Sequence, residues 1–320
     1  MESYSGTVEE RSGGIRLDRY AAETLGITSR SQIKSRILEA RLNGKPVKLS
    51  RPVKAGDRVE LSWLPAAPVH LEPEDIPLKI LYEDQRCVVI NKSQGMVVHP
   101  GAGNHAGTLA NALLWRRYLH LYGPPDRWPK EPENHPDLRT GIVHRLDKDT
   151  SGAIIAAYDD EALAFLSAQF KARTVRKRYL ALVQGTPREP EGRIQTALIR
   201  DPKNRKRFAA AEHGGKIALT RYRLVRSWGE YSLLLLKPQT GRTHQLRVHL
   251  SCLGHPILGD PIYNPAYEPD RAVRGRISVP SLLLHAYSLE LTLPGTNELR
   301  RFTAPLPRRF KTTMAALDNG

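Results

Sequence analysis

The stretch Gly141-Ile142-Val143-His144-Arg145-Leu146-Asp147-Lys148-Asp149-Thr150-Ser151-Gly152 crowds four charged side chains and a histidine in front of a run of small apolar residues. A carboxylate such as that of Asp147 can act as a nucleophile or as a general base. Arg145 and Lys148 stand close enough in sequence to hold it ionised, and Thr150, Ser151 and Gly152 bring backbone and hydroxyl donors that can fix the shape of the loop. A solvated loop leading into a strand would carry the same charges, so this segment alone leaves both readings open.

Two other stretches carry groups that such a carboxylate would need. In Thr240-Gly241-Arg242-Thr243-His244-Gln245-Leu246-Arg247-Val248-His249-Leu250, a helix opening after Gly241 sets Leu246, Leu250 and Leu253 on a core stripe. Arg242, Gln245 and His249 then form an adjoining polar stripe whose first turn can present a guanidinium to a carboxylate. An amphipathic helix with a plain polar face would look the same. In Val175-Arg176-Lys177-Arg178-Tyr179-Leu180-Ala181-Leu182-Val183, an aromatic ring follows directly on a basic cluster. That suits an unstacked nucleobase, with phosphates held outside and a ring face inside. It also suits a core tyrosine with a satisfied hydroxyl.

Other chemistries lack their residues. Gly101-Ala102-Gly103-Asn104-His105-Ala106-Gly107 has its third glycine one position late for a dinucleotide fingerprint, and no phosphate loop ends in Gly-Lys-Ser/Thr. No H-E-x-x-H motif occurs, and His244 and His249 are five apart, which does not suit a metal pair on one helix face. Neither a cofactor nor a metal is expected. With 49 Lys and Arg against 33 Asp and Glu, the formal charge of +16 calls for a polyanionic partner, nucleic acid before anionic membrane. No long uncharged apolar run or signal-peptide layout is present, so a cytoplasmic protein is expected. Cys87 and Cys252, far apart, read as small buried hydrophobes.

The elements that must position these groups fall into two parts. Residues 1–62 form a first domain: Leu17, Tyr20, Ala21, Thr24 and Leu25 recur at helical spacing, Thr28 or Ser29 can cap a second helix with Ile33, Ile37 and Leu38, and Asn43-Gly44 turns a short hairpin. Arg30, Lys34 and Arg36 make one side of it basic, as an RNA contact or as a solvated face. Residues 63–77, rich in proline and acid, read as a linker. From 78 to 320, strands are expected near 86–91, 96–98, 152–157, 179–183, 221–225, 231–236, 283–293 and 299–303, with a helix over 160–170 and a long proline-rich loop over 119–140. Strands outnumber helices without alternating with them, which predicts an α+β fold with a mixed, largely antiparallel sheet and flanking helices.

Taken together, His144-Arg145-Leu146-Asp147 through Thr150-Ser151-Gly152, Lys177-Arg178-Tyr179 and Gly241-Arg242-Thr243-His244-Gln245-Leu246-Arg247 resemble the three motifs of the RluA-type family of pseudouridine synthases. Asn91-Lys92 through His99-Pro100 and Leu284-His285-Ala286 are weaker matches. Arg16-Leu17-Asp18, Ser29-Arg30-Ser31, Asn43-Gly44-Lys45 and Gly56-Asp57 resemble the S4 RNA-binding domain, an αα and β-hairpin module, and that domain joined to this catalytic domain is an RluD-like arrangement. The resemblance implies Asp147 as the essential carboxylate, Tyr179 as the ring against the target uracil and Arg242 as the aspartate's partner. Arg145 would fill the gap left by a flipped nucleotide, with His144, Leu146, Thr150, Leu246 and Lys177 around the substrate. Ser93 and Ser281 depart from the family pattern, where proline and arginine are usual.

The resemblance further implies an enzyme that uses no cofactor and acts on RNA, with large-subunit (23S-type) ribosomal RNA preferred to transfer RNA; the sequence does not fix the oligomeric state, and a monomer is the default expectation. A non-catalytic ribosome-assembly factor would share the charge and the linker but has no need of Asp147, Tyr179 and Arg242 in their motifs. A base-releasing nucleoside hydrolase would want a second carboxylate, and Asp149 is the nearby candidate.

Overall fold

The computed structural model describes all residues except 28–32, 65–70, 102, 129–139, 203, 205–206, 266, 268–271, 274–276, 280, 297 and 320. The chain divides into two compact units between His70 and Leu71. Thr28, Ser29 and Arg30 therefore lie outside the described residues, as does half of the proline-rich loop.

The first unit holds β1 (Glu2–Thr7), α1 (Leu17–Arg19), α2 (Ile33–Arg36), β2 (Ile37–Leu42), β3 (Lys45–Pro46) and β4 (Arg58–Trp63), with strand order β1-β4-β2-β3. Asn43 and Gly44 both have positive φ, 52° and 75°, which is the backbone of the tight turn between β2 and β3. Leu17, Tyr20, Ala21, Ile33, Val59 and Leu61 close a small core under this sheet. Three points depart from expectation. Ile37 and Leu38 belong to β2, because Ile37 pairs with Trp63. The sheet also contains β1, whose exposed, polar sequence carries no alternating signal. Trp63 ends β4 and so does not open the linker.

The second unit is built on β5 (Ile80–Glu83), β6 (Cys87–Lys92), α3 (Leu109–Tyr122), β7 (Ser151–Ala157), α4 (Asp160–Ala172), β8 (Arg176–Gln184), β9 (Glu191–Arg200), β10 (Phe208–Ala211), β11 (Lys216–Ser227), β12 (Tyr231–Pro238), α5 (Gln245–Cys252), the short pair β13 (Ala272–Val273) and β14 (Ile277–Ser278), β15 (Leu284–Thr292), β16 (Leu299–Thr303) and α6 (Arg308–Asp318). A ten-stranded sheet runs in the order β10-β9-β11-β12-β8-β15-β7-β6-β5, with β16 paired to β15. Every pairing in it is antiparallel except β15 with β7. This is the mixed, largely antiparallel α+β sheet expected.

Beside the site, β15 changes neighbours: His285 and Ala286 pair with Ser151 and Gly152 of β7, and Ser288 onward pairs with β16. Helices escaped the sequence reading where the apolar period is weak. In α3 the start is set by a capping box in which Thr108 accepts from the Asn111 amide and the Asn111 side chain accepts from the Thr108 amide. It runs into the stretch expected to be loop, and the proline-bearing segment begins only after Gly123. The linker reading ends early as well, since the Glu74 carboxylate accepts from the Gly107 amide and Asn111 Nδ2 donates to the Glu72 carbonyl. Residues 96–98 form no strand, and Cys252 is exposed.

Candidate active site

Two glycines bracket the segment that carries Asp147. Gly141 has φ +63° and a side chain there would meet the Ala157 carbonyl at 1.8 Å, while Gly152 has φ +117° and a side chain there would meet the Ala286 carbonyl at 2.2 Å. Both are places where backbone must pass backbone. Between them the loop is tied from several directions. His144 Nε2 accepts from the Ile155 amide at 3.1 Å, its ring stacks on Phe170 at 4.5 Å, and burial holds it neutral, its pKa down to about 3. Leu146 is buried among Val88, Ile90 and Ile154. The Thr150 amide donates to the Asp147 carbonyl at 3.1 Å, closing a turn. Lys92, 1% exposed, reaches under the turn and donates to the carbonyls of Ser93, Met96 and Lys148 at 2.8–3.0 Å. Burial pulls its pKa down to about 8, against the pull of Asp149 and Asp147. The result is a carboxylate held on a rigid turn with its side chain 22% exposed.

From β8, Lys177 and Tyr179 lie two residues apart and so share one face of the sheet. Tyr179 packs against two core clusters, and its hydroxyl is pushed up from the ordinary phenol value, first by burial and then by the charge of Asp147. Burial, helped by the charge of Arg173, pulls the Lys177 ammonium down.

The third segment departs from its expected form. Helix α5 opens at Gln245, not after Gly241, because His244 sits in the left-handed region at φ 54° and the Gln245 amide closes back on the Arg242 carbonyl. Gln245 Oε1 accepts from the Arg242 amide and the Thr240 hydroxyl, and its Nε2 donates to the Leu219 carbonyl and to Thr220, which pins the turn to β11. With the helix starting later, Arg247 falls in its first turn. Its Nη1 lies 3.9 Å from Asp147 Oδ2. The expected partner, Arg242, is thus corrected: its Nε is aimed at the Ile217 carbonyl, 3.4 Å away.

Arg247 is itself aligned by Asp260, which takes Nε and Nη2 at 2.7 Å each and also accepts from the amides of Ile262 and Tyr263. The pair is almost completely buried, with side-chain exposures of 5% and 0%. A bidentate clamp of this kind fixes the guanidinium plane as well as its place. The Tyr263 ring lies under the guanidinium at 5.0 Å. Its hydroxyl accepts from the Phe208 amide and hydrogen-bonds His244 Nδ1 at 2.8 Å. Sequence reasoning missed Arg247 and Asp260. The signal for the first was in the same motif, one helical start away; Asp260 carried none.

One cavity of about 450 Å³ collects these groups, and Asp147, Tyr179, Arg242 and Arg247 all line it. So do Arg145, His144, Leu146, Thr150, Leu246 and Lys177. Arg36 is half-buried at the end of α2 in the first unit; Arg30 and the side chain of Lys34 lie outside what the structure describes. Among the described residues, no three His, Cys, Asp or Glu side chains are grouped to hold a metal ion, and no helix is long and apolar enough to cross a membrane.

A carboxylate faced by a guanidinium, beside an aromatic ring and basic side chains in one cavity, is an arrangement suited to receive an unstacked base. Comparison with known proteins agrees. Residues 86–252 match the family described as RNA pseudouridylate synthase. The chain is 42% identical over 310 residues to the ribosomal large subunit pseudouridine synthase D of Borreliella burgdorferi, covering 95% of this chain and 89% of that one. It is 44% identical over 314 residues to an uncharacterized RNA pseudouridine synthase of Chlorobaculum parvum, covering 94% and 93%. Among solved structures, human RNA pseudouridylate synthase domain containing 4 superposes with a TM-score of 0.57 at 27% identity, over 75% of this chain and 93% of that one. With its three motifs meeting at one cavity and its relatives alike over nearly its whole length, the chain belongs to the RluA-type family and is an RNA pseudouridine synthase.

Proposed function

We propose that the enzyme isomerises selected uridines of large-subunit ribosomal RNA in the cytoplasm, as a monomer, with Asp147 as its catalytic carboxylate. The observation that carries this reading is the convergence of Asp147, Tyr179 and Arg247 on one cavity. Relatives named for the ribosomal large subunit support the choice of RNA. In the reaction the bond from ribose C1′ to uracil N1 breaks, the base turns, and C1′ bonds to C5; C5 gives up its proton and N1 gains one. No electrons are exchanged and no group is carried away.

Unstacking the uridine costs a few kcal/mol, offset by phosphate contacts and by the Tyr179 ring. Arg145, exposed at the rim, takes the place the base vacates in the RNA, while Leu146, Leu246, His144, Thr150 and Lys177 shape the cavity around it. Asp147 acts in its charged form, as nucleophile at a carbon of the sugar or base, or as the base that removes a ribose C2′ proton. Arg247 orients it. Arg242 contacts the RNA at the cavity's edge. Residues 1–62 serve as an S4-like RNA-binding domain whose basic residues Arg30, Lys34 and Arg36 grip RNA phosphates.

The test is to incubate the purified protein with separate transcripts of large-subunit ribosomal RNA, small-subunit ribosomal RNA and transfer RNA, without added cofactor, and to map pseudouridine in each. Conversion confined to defined large-subunit positions is expected. Conversion confined to transfer RNA would overturn the substrate assignment.

A further inference from the structure

Outside the cavity, the second unit carries a line of like charges that the sheet alone would disfavour. Arg221 in β11 is directly opposite Arg193 in β9 and directly opposite Lys237 in β12. Directly opposed residues point to the same face, so these three cations form a row across three adjacent strands, about 10 Å long at ~4.8 Å per strand. All three are exposed, and none has an ion pair among the described residues. Like charges directly opposite each other destabilise a sheet. By contrast, Arg223, one step along the same face, is opposite Glu191 and so has a carboxylate for a neighbour.

This row connects to the active site. Leu236 is paired with Tyr179, so those two side chains share the cavity's face and Lys237, next along β12, points to the other. A groove of about 520 Å³ wraps the sheet's end between the two faces, lined by Arg173, Lys177, Arg178 and Lys237. It shares Phe170, Arg173 and Lys177 with the cavity. On its far side Lys237 also lines a second groove, of about 460 Å³, with Arg193 and Arg221. Cavity, groove and row are therefore one continuous basic path.

We propose that this path is a backbone track: RNA flanking the target uridine leaves the cavity past Arg173, rounds the end of the sheet, and lays its phosphates along Lys237, Arg221 and Arg193. The row supplies charge without base-reading groups, so it adds affinity and orientation and no sequence choice. The inference rests on the reading of the cavity as the site of RNA modification.

Its test uses the full-length protein with Arg193→Ser, Arg221→Ser and Lys237→Ser combined, none of which touches the reacting groups. The substrates are an RNA that the wild-type protein modifies and the same RNA trimmed to the modified stem. On the long RNA, KM should rise roughly tenfold with kcat unchanged, and the dependence of log KM on log salt should flatten by roughly 2, at about 0.7 for each single-strand phosphate that a cation no longer neutralises. The trimmed RNA should show neither change, and the variant's Tm should not fall, because a repulsive row has been removed. Arg193→Lys with Arg221→Lys should restore wild-type KM. An unchanged KM and salt slope on the long RNA, or equal losses on both RNAs, would overturn the track. Wild-type protein that modifies no RNA would instead overturn the reading of the cavity.

Discussion

At the scale of single residues, the chemistry turns on which guanidinium faces Asp147. Arg242 and Arg247 belong to one motif and both line the cavity, but only Arg247 is clamped, by Asp260, with a nitrogen toward the aspartate. Lysine at 247 keeps the charge and loses the two-point grip on Asp260. Arg247→Lys should therefore lower kcat roughly 10²-fold, the scale of an ångström of misplacement at a reacting centre, with KM little changed. Arg242→Ala should raise KM and leave kcat nearly intact. Steady-state kinetics on the two purified variants separates them, and the opposite ranking would return the role to Arg242. That Asp147 and Tyr179 line one cavity was anticipated through the resemblance of their motifs, whereas spacing alone left a solvated loop and a core tyrosine equally open. Asp260 was not anticipated, since its partner lies thirteen positions away, across a turn that no local pattern announces.

Among the elements, strands with strong apolar runs read correctly: β7, β12 and β15 lie where alternation or continuous burial put them, to within a few residues. Those held by pairing alone did not. Strand β9 mixes charged and apolar residues and gains its place from β10 and β11 on either side, and α6 follows a proline that gives no warning of a helix. The elements around the site are also joined by neutral histidines. His285 Nε2 donates to the Ala304 carbonyl and its Nδ1 faces the Ser151 hydroxyl, to which Arg309 also donates, so Ser151 gives its proton to the ring. His249 lies against Thr220. Burial lowers both to about 4 and His144 to about 3, from an ordinary 6.5. The unfolded chain then binds more protons than the folded one between about 6.5 and 4. Stability contributed by these groups should be complete above about pH 6.5 and should fall as pH drops through that window, by up to about 1.4 kcal/mol per pH unit for each histidine. Urea unfolding followed across the window checks this; a flat stability between pH ~6.5 and ~5 would contradict it.

For the molecule as a whole, the excess of positive charge was plain in composition, while its arrangement was not. Arg193, Arg221 and Lys237 are scattered in sequence, and only strand register makes them neighbours. The same holds for the cavity, which draws on β8, α5 and the loop before β7 at once. On the proposed mechanism activity depends on that gathering, and above all on the carboxylate. Asparagine at 147 keeps the size and most of the hydrogen bonding of aspartate and removes its charge. RNA labelled with tritium at uracil C5 loses that label when C5 bonds to C1′, so tritium release counts turnovers. Asp147→Asn should bind RNA with wild-type affinity, unfold at the wild-type temperature and release no tritium above background; release at the wild-type rate would contradict a catalytic carboxylate at this position.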